Sequence, residues 1–150
     1  MYFEALSGYS YYLKHPLESA RNIGWLDAAH PFSRAPAQRM MFEKLCDICA
    51  STEPANVHVN TLRGVRPCPI CGSDVFVIPG RSERFLIGMS ELWIPKSKGE
   101  YLVASSLILH FIADHQYSPP QSFWDAVRQF DLTAPYNGQE AYLKAVAGAF

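Results

Sequence analysis

The apolar residues change their spacing several times along this chain, and each change marks an element. Residues 1–35 hold no sustained period: Tyr2, Phe3, Tyr9, Tyr11 and Tyr12 come early and Gly24-Trp25-Leu26 follows. Their short alternations predict one or two brief strands packed across the domain. Pro36 to Ala50 reads as the first helix. Proline suits the first helical turn, and Met40, Met41, Leu45 and Ile48 recur near helical spacing. Val57 and Val59, alternating with His58 and Asn60, predict a short strand after the break at Ser51 to Pro54. Arg63 to Lys98 reads as β structure, with a strand at Val75 to Ile78. Glu91 to Pro95 and Tyr101 to Ala104 then flank Lys96-Ser97-Lys98-Gly99, a hairpin turn with glycine at a left-handed position.

A helical period returns next. Ser105 or Ser106 can cap a helix running through Leu107, Ile108, Phe111 and Ile112 to His115. Pro119-Pro120 stops that helix and starts another, carrying Phe123, Trp124, Val127 and Phe130. Asn137-Gly138 marks a turn before a last helix with Tyr142, Val146 and Ala149 on one side. With no internal repeat and no linker, the pattern predicts one compact α+β domain over residues 1–150: a β-hairpin and knuckle region with three to four helices.

Composition narrows the function classes. A length of 150 residues with 49% hydrophobic content suits one domain with a sizeable core. Thirteen Lys+Arg against fourteen Asp+Glu leave no global field to attract nucleic acid or anionic membrane. The sequence start has no basic stretch followed by an apolar run, so no signal peptide is expected. The longest nearly apolar stretch, Tyr101 to Ala113, contains His110 and falls short of the roughly twenty residues a membrane span needs. These readings place the chain in the cytoplasm, where paired cysteines act as ligands more often than as disulfides.

Four cysteines form two Cys-x-x-Cys pairs, Cys46/Cys49 and Cys68/Cys71. Cys68-Pro69-Ile70-Cys71-Gly72 has the form of a knuckle, a tight turn from which two thiolates chelate one zinc ion. Two sources could complete the tetrahedron. His110 and His115 give a His-x4-His pair with zinc-finger spacing, although positions five apart on a helix are about 140° out of phase. A distorted final turn before Pro119-Pro120 would bring His115 round. Cys46 and Cys49 give Cys-x2-Cys-x18-Cys-x2-Cys, also a zinc spacing, but they sit on a helix beside Leu45 and Ile48, where buried cysteine reads first as core packing, so this source ranks second. Asp114 could orient a ligating imidazole, or stand as an exposed carboxylate.

A full set of four protein ligands closes a zinc site to water, and no His-Glu-x-x-His or deaminase pattern occurs. The sequence therefore leans away from an enzyme. Arg63, Arg66, Arg81 and Arg84 make the knuckle region locally positive, and Trp93 or Trp124 could serve a protein contact. Three functions follow, in order: a zinc-stabilised protein-binding module, a nucleic-acid-binding zinc protein using the four arginines, and a zinc-dependent hydrolase.

One set of motifs runs through residues 2 to 128: Asn22-Ile23-Gly24-Trp25-Leu26-Asp27, His30-Pro31-Phe32, Arg63-Gly64 before Cys68-x-x-Cys71, Ser106-Leu107-Ile108, His110-Phe111, and His115-x-Tyr117-x-Pro119-Pro120 with Phe123. The set resembles a group of small bacterial proteins of uncharacterised function, several of which look like neighbours in toxin–immunity or accessory gene sets. The resemblance implies that Cys68, Cys71, His110 and His115 belong together and that Cys46 and Cys49 stand outside the pattern; a partner protein, such as a toxin or accessory protein, is the leading expectation for what the chain binds.

Overall fold

The computed structural model describes residues 1–64, 66–74 and 87–147. In chain order the elements are β1 (Gly8–Tyr9), β2 (Leu17–Ile23), α1 (Arg39–Ala50), β3 (Ala55–Asn56), β4 (His58–Val59), β5 (Glu91–Ser97), β6 (Glu100–Ser105), α2 (Ile108–His115), α3 (Gln121–Gln129), β7 (Tyr136–Asn137) and α4 (Gly138–Val146). The architecture is mixed α+β. The strand expected at Val75 to Ile78 lies outside the described residues, as does Ala149.

β5 and β6 form the expected hairpin, Trp93 opposite Val103 and Ile94 opposite Leu102, and Gly99 takes φ +77° at its turn. A left-handed residue there favours glycine, which has no Cβ to clash. β2 lies parallel to β6, β1 antiparallel to β2, and β4 antiparallel to β5, giving the order β1-β2-β6-β5-β4. β3 and β7 form a separate parallel pair.

Alternating side chains divide the core into two layers. Leu92, Ile94, Leu102 and Ala104 face Leu45 and Ile48 of α1, Ile108 and Phe111 of α2, and Phe123 and Val127 of α3. Trp93 and Val103 face Tyr9, Trp25 and, from α4, Tyr142 and Val146. The two central strands are thus covered on both sides, which explains their almost unbroken apolar runs. Trp93 is fully buried and offers no contact surface; Trp124 is half-buried against the first layer.

Two helix starts differ from expectation. α1 begins at Arg39, with Pro36 outside it and Gln38 extended at the cap. Arg34 bridges to Tyr117, and the Ala35 amide donates to the Gln116 carbonyl at 2.9 Å, so the chain stays extended up to the proline. Neither serine side chain caps α2 at its N-cap residue, Leu107. Ser105 Oγ accepts from the Leu107 amide at 3.2 Å, while buried Ser106 turns away to accept from the Gly88 amide at 2.7 Å. At α4 the expected signal holds, because the Asn137 side chain accepts from the Glu140 amide at 3.0 Å.

α2 carries both histidines, and its position is set by a close approach. Gly24 leaves β2 with φ +69°, and a Cβ there would lie 2.8 Å from Ile108 Cδ1. Only glycine satisfies both the conformation and the space.

Candidate metal centre

The knuckle is built from local backbone bonds. The Gly72 amide donates to the Cys68 carbonyl at 2.8 Å, and the Cys68 amide donates to the Ser73 carbonyl at 2.9 Å. Gly72 takes φ +75°, which lets the turn close. The Ile70 amide points at Cys68 Sγ across 3.4 Å. Cys68 is thereby buried and Cys71 exposed, while Ile70 packs on the core and anchors the turn.

α2 brings two imidazoles to the same point. His110 is 6% exposed and its Nε2 lies 3.4 Å from Cys71 Sγ. His115 Nε2 lies 3.6 Å from Cys68 Sγ and 3.2 Å from His110 Nε2. The helix stays regular through His115, and the left-handed residue is Gln116, with φ +56°, one position later. The phase mismatch is therefore closed by the reach of two rings held nearly perpendicular, at 85°, and not by unwinding the turn between them.

One ligand atom from each of Cys68, Cys71, His110 and His115 lies within 4.8 Å of the others, so these four could hold a metal ion. Hydrogen bonds from Ser73, and then from His110 and His115, favour the Cys71 thiolate and lower its pKa to about 5. Burial acts the other way on Cys68 and raises its pKa. The cluster thus has one thiol ready to ionise and one whose charge needs a cation nearby.

Asp114 Oδ2 stands 2.7 Å from His110 Nδ1, out of line for a straight hydrogen bond, with the carboxylate more than half exposed. It is both things the sequence allowed, an exposed group and a neighbour of a ligand nitrogen. Ser73 was not singled out from the sequence; the only signal was a hydroxyl two residues past the second cysteine. Cys46 and Cys49 lie in the core beside Leu45 and Ile48 and take no part in the four-residue cluster. Burial raises the Cys49 thiol far above its ordinary range. His58 is directed elsewhere, its Nδ1 at 2.6 Å from Ser90 Oγ and its Nε2 at 2.7 Å from the Cys49 carbonyl. Of the four arginines, Arg63 and Arg66 are exposed, Arg66 donating to the Tyr11 hydroxyl at 3.0 Å. Arg81 and Arg84 lie outside the described residues.

Fold and cluster define an α+β domain whose knuckle and second helix present two thiols and two imidazoles to one point. The chain belongs to the family described as Domain of unknown function (DUF7919), whose model matches residues 1–128. All four candidate ligands fall inside that span. Searches of curated proteins and of solved structures find no match. No helix among the described residues is long and apolar enough to cross a membrane.

Proposed function

We propose that this chain is a cytoplasmic, non-enzymatic protein-binding module held in shape by one structural zinc ion. The observation that carries the reading is the spacing of the ligand atoms. Tetrahedral zinc with ordinary Zn–S and Zn–N bonds puts sulfur and nitrogen about 3.6 Å apart and two nitrogens about 3.3 Å apart. The sulfur–nitrogen separations here are 3.4 and 3.6 Å, and the nitrogens stand 3.2 Å apart. Two thiolates and two neutral imidazoles are also the donor set zinc prefers.

Four protein ligands fill a tetrahedral shell, which gives the metal a structural role and leaves no place for a reacting water. The knuckle itself is at the surface: Pro67, Pro69 and Cys71 are exposed. A rigid, displayed turn suits protein recognition, and the motif resemblance to neighbours of toxin–immunity genes supports a toxin or accessory protein as partner. Affinity capture from the producing cell tests this, with wild type and Cys68→Ser as parallel baits. One protein retained by wild type and lost with Cys68→Ser is the expected result. Retention of nucleic acid alone, or of nothing, would refute it.

A further inference from the structure

Glu91 opens β5 and is 4% exposed. Its carboxylate accepts three hydrogen bonds, all from neutral groups. Oε1 takes the Tyr9 hydroxyl at 2.7 Å and Trp93 Nε1 at 3.2 Å, and Oε2 takes Asn60 Nδ2 at 3.0 Å. The indole and amide nitrogens only donate, so the arrangement is made for an ionised carboxylate. Among the described residues no Lys, Arg or His pairs with it. A buried carboxylate without a countercharge is costly, and burial raises its pKa accordingly. Each carboxylate oxygen offers about two acceptor positions, which leaves one open on Oε2.

Glu91 also lines a cavity of about 110 Å³. Trp25, Leu107 and Phe111 supply apolar wall, and Pro67 and Pro69, on either side of Cys68, form another side. Arg66 also lines it from an exposed position, its guanidinium placed by the Tyr11 hydroxyl. One small chamber therefore carries a buried negative group, an exposed positive group and an apolar wall between aromatic rings.

We infer that this cavity binds a small zwitterion of the amino-acid class, its ammonium on Glu91, its carboxylate toward Arg66 and an aliphatic side chain against Trp25 and Phe111. An amine alone would leave Arg66 facing a like charge, and an acid alone would face Glu91. Size sets the upper limit: a dry cavity of about 150 Å³ admits benzene, so this one encloses the ammonium and an aliphatic side chain no larger than that of leucine only with the carboxylate left at the rim beside exposed Arg66. The site shares no ligand atom with the metal cluster, but its Pro67 and Pro69 wall belongs to the knuckle, so metal content is read alongside ligand binding.

Isothermal titration calorimetry on the full chain as purified tests it, with metal content measured on the same sample. The probes are valine, leucine, isopentylamine (leucine without its carboxylate) and 4-methylpentanoate (which lacks the ammonium). Saturable binding of valine or leucine, with both truncated probes at least about tenfold weaker, is the expected result. Glu91→Gln should weaken binding about thirtyfold or more, because it removes a buried charge partner. Leu62→Trp fills the rim from a residue 37% exposed, away from the buried hydrogen bonds, and should abolish binding while the protein still melts cooperatively. No heat from either amino acid at millimolar concentration overturns the inference. So does isopentylamine binding as tightly as leucine, or undiminished binding in Leu62→Trp.

Discussion

At the scale of single residues, the cluster separates side chains that a sequence treats alike. Cys68 and Cys46 are both buried, yet Cys68 Sγ lies 3.6 Å from His115 Nε2 within the four-residue cluster and Cys46 stands outside that cluster. Cys68→Ser and His110→Ala should therefore each lose the metal and lower the melting temperature. Cys46→Ser should do neither beyond a small packing loss, and metal analysis with a thermal melt distinguishes the two patterns. Should the Asp114 carboxylate at 2.7 Å from His110 Nδ1 orient that ring once metal is bound, Asp114→Asn will keep stoichiometric metal at saturation but weaken affinity about 10- to 100-fold in a chelator competition. An unchanged affinity would leave the carboxylate as a bystander. Gly24→Ala places a methyl 2.8 Å from Ile108 at a left-handed backbone position. It should cost about 1–3 kcal/mol in urea unfolding.

At the scale of elements, α4 is the helix whose N-terminus holds a side-chain cap, and Asn137→Ala should lower stability by about 1 kcal/mol. Asn137-Gly138 was readable as the boundary before the last helix because the signal is local, although the structure makes Asn137 the cap and Gly138 the first helical residue where the sequence suggested a turn. The β5–β6 hairpin was readable for the same reason, with a glycine turn between two apolar runs. What the sequence misplaced depends on distant partners. Pro36 resembles a helix start, but the contact of Arg34 and Ala35 with Tyr117 and Gln116 postpones the helix to Arg39. Ser106 resembles a cap, but Gly88 claims its hydroxyl. Trp93 resembles a surface aromatic until a parallel β2 and the helix α4 cover its side of the sheet. Spacing marked the Cys68-x-x-Cys71 knuckle but left His110/His115 and Cys46/Cys49 both able to complete it, because the choice depends on which pair the fold brings to the knuckle; the agreement of two histidines about 140° out of phase needed the knuckle opposite them.

At the scale of the whole molecule, two buried titratable groups give stability a pH dependence of opposite signs. Burial raises the Glu91 pKa from its ordinary 4.5, so the folded state holds that proton more tightly than the unfolded chain. Its contribution is present below about 4.5 and lost as pH rises through the raised value. Glu91→Gln should accordingly compare more favourably with wild type at pH 7 than at pH 4 in urea unfolding, and a pH-independent difference would contradict this. Burial lowers the His58 pKa from 6.5, so the folded state keeps the ring neutral where the unfolded chain already takes a proton, and stability falls as pH drops below 6.5 through the lowered value. On the proposed zinc reading a metal would outweigh both effects, because binding free energy at a four-ligand site becomes folding free energy. Native mass spectrometry of the purified chain, followed by a thermal melt with and without a strong chelator, tests that claim most directly. One zinc per chain, absent from Cys68→Ser, and a melting temperature that drops when zinc is withdrawn are the expected results. A wild-type chain that folds cooperatively with no metal, or a Cys68→Ser chain that keeps one zinc, would contradict the account.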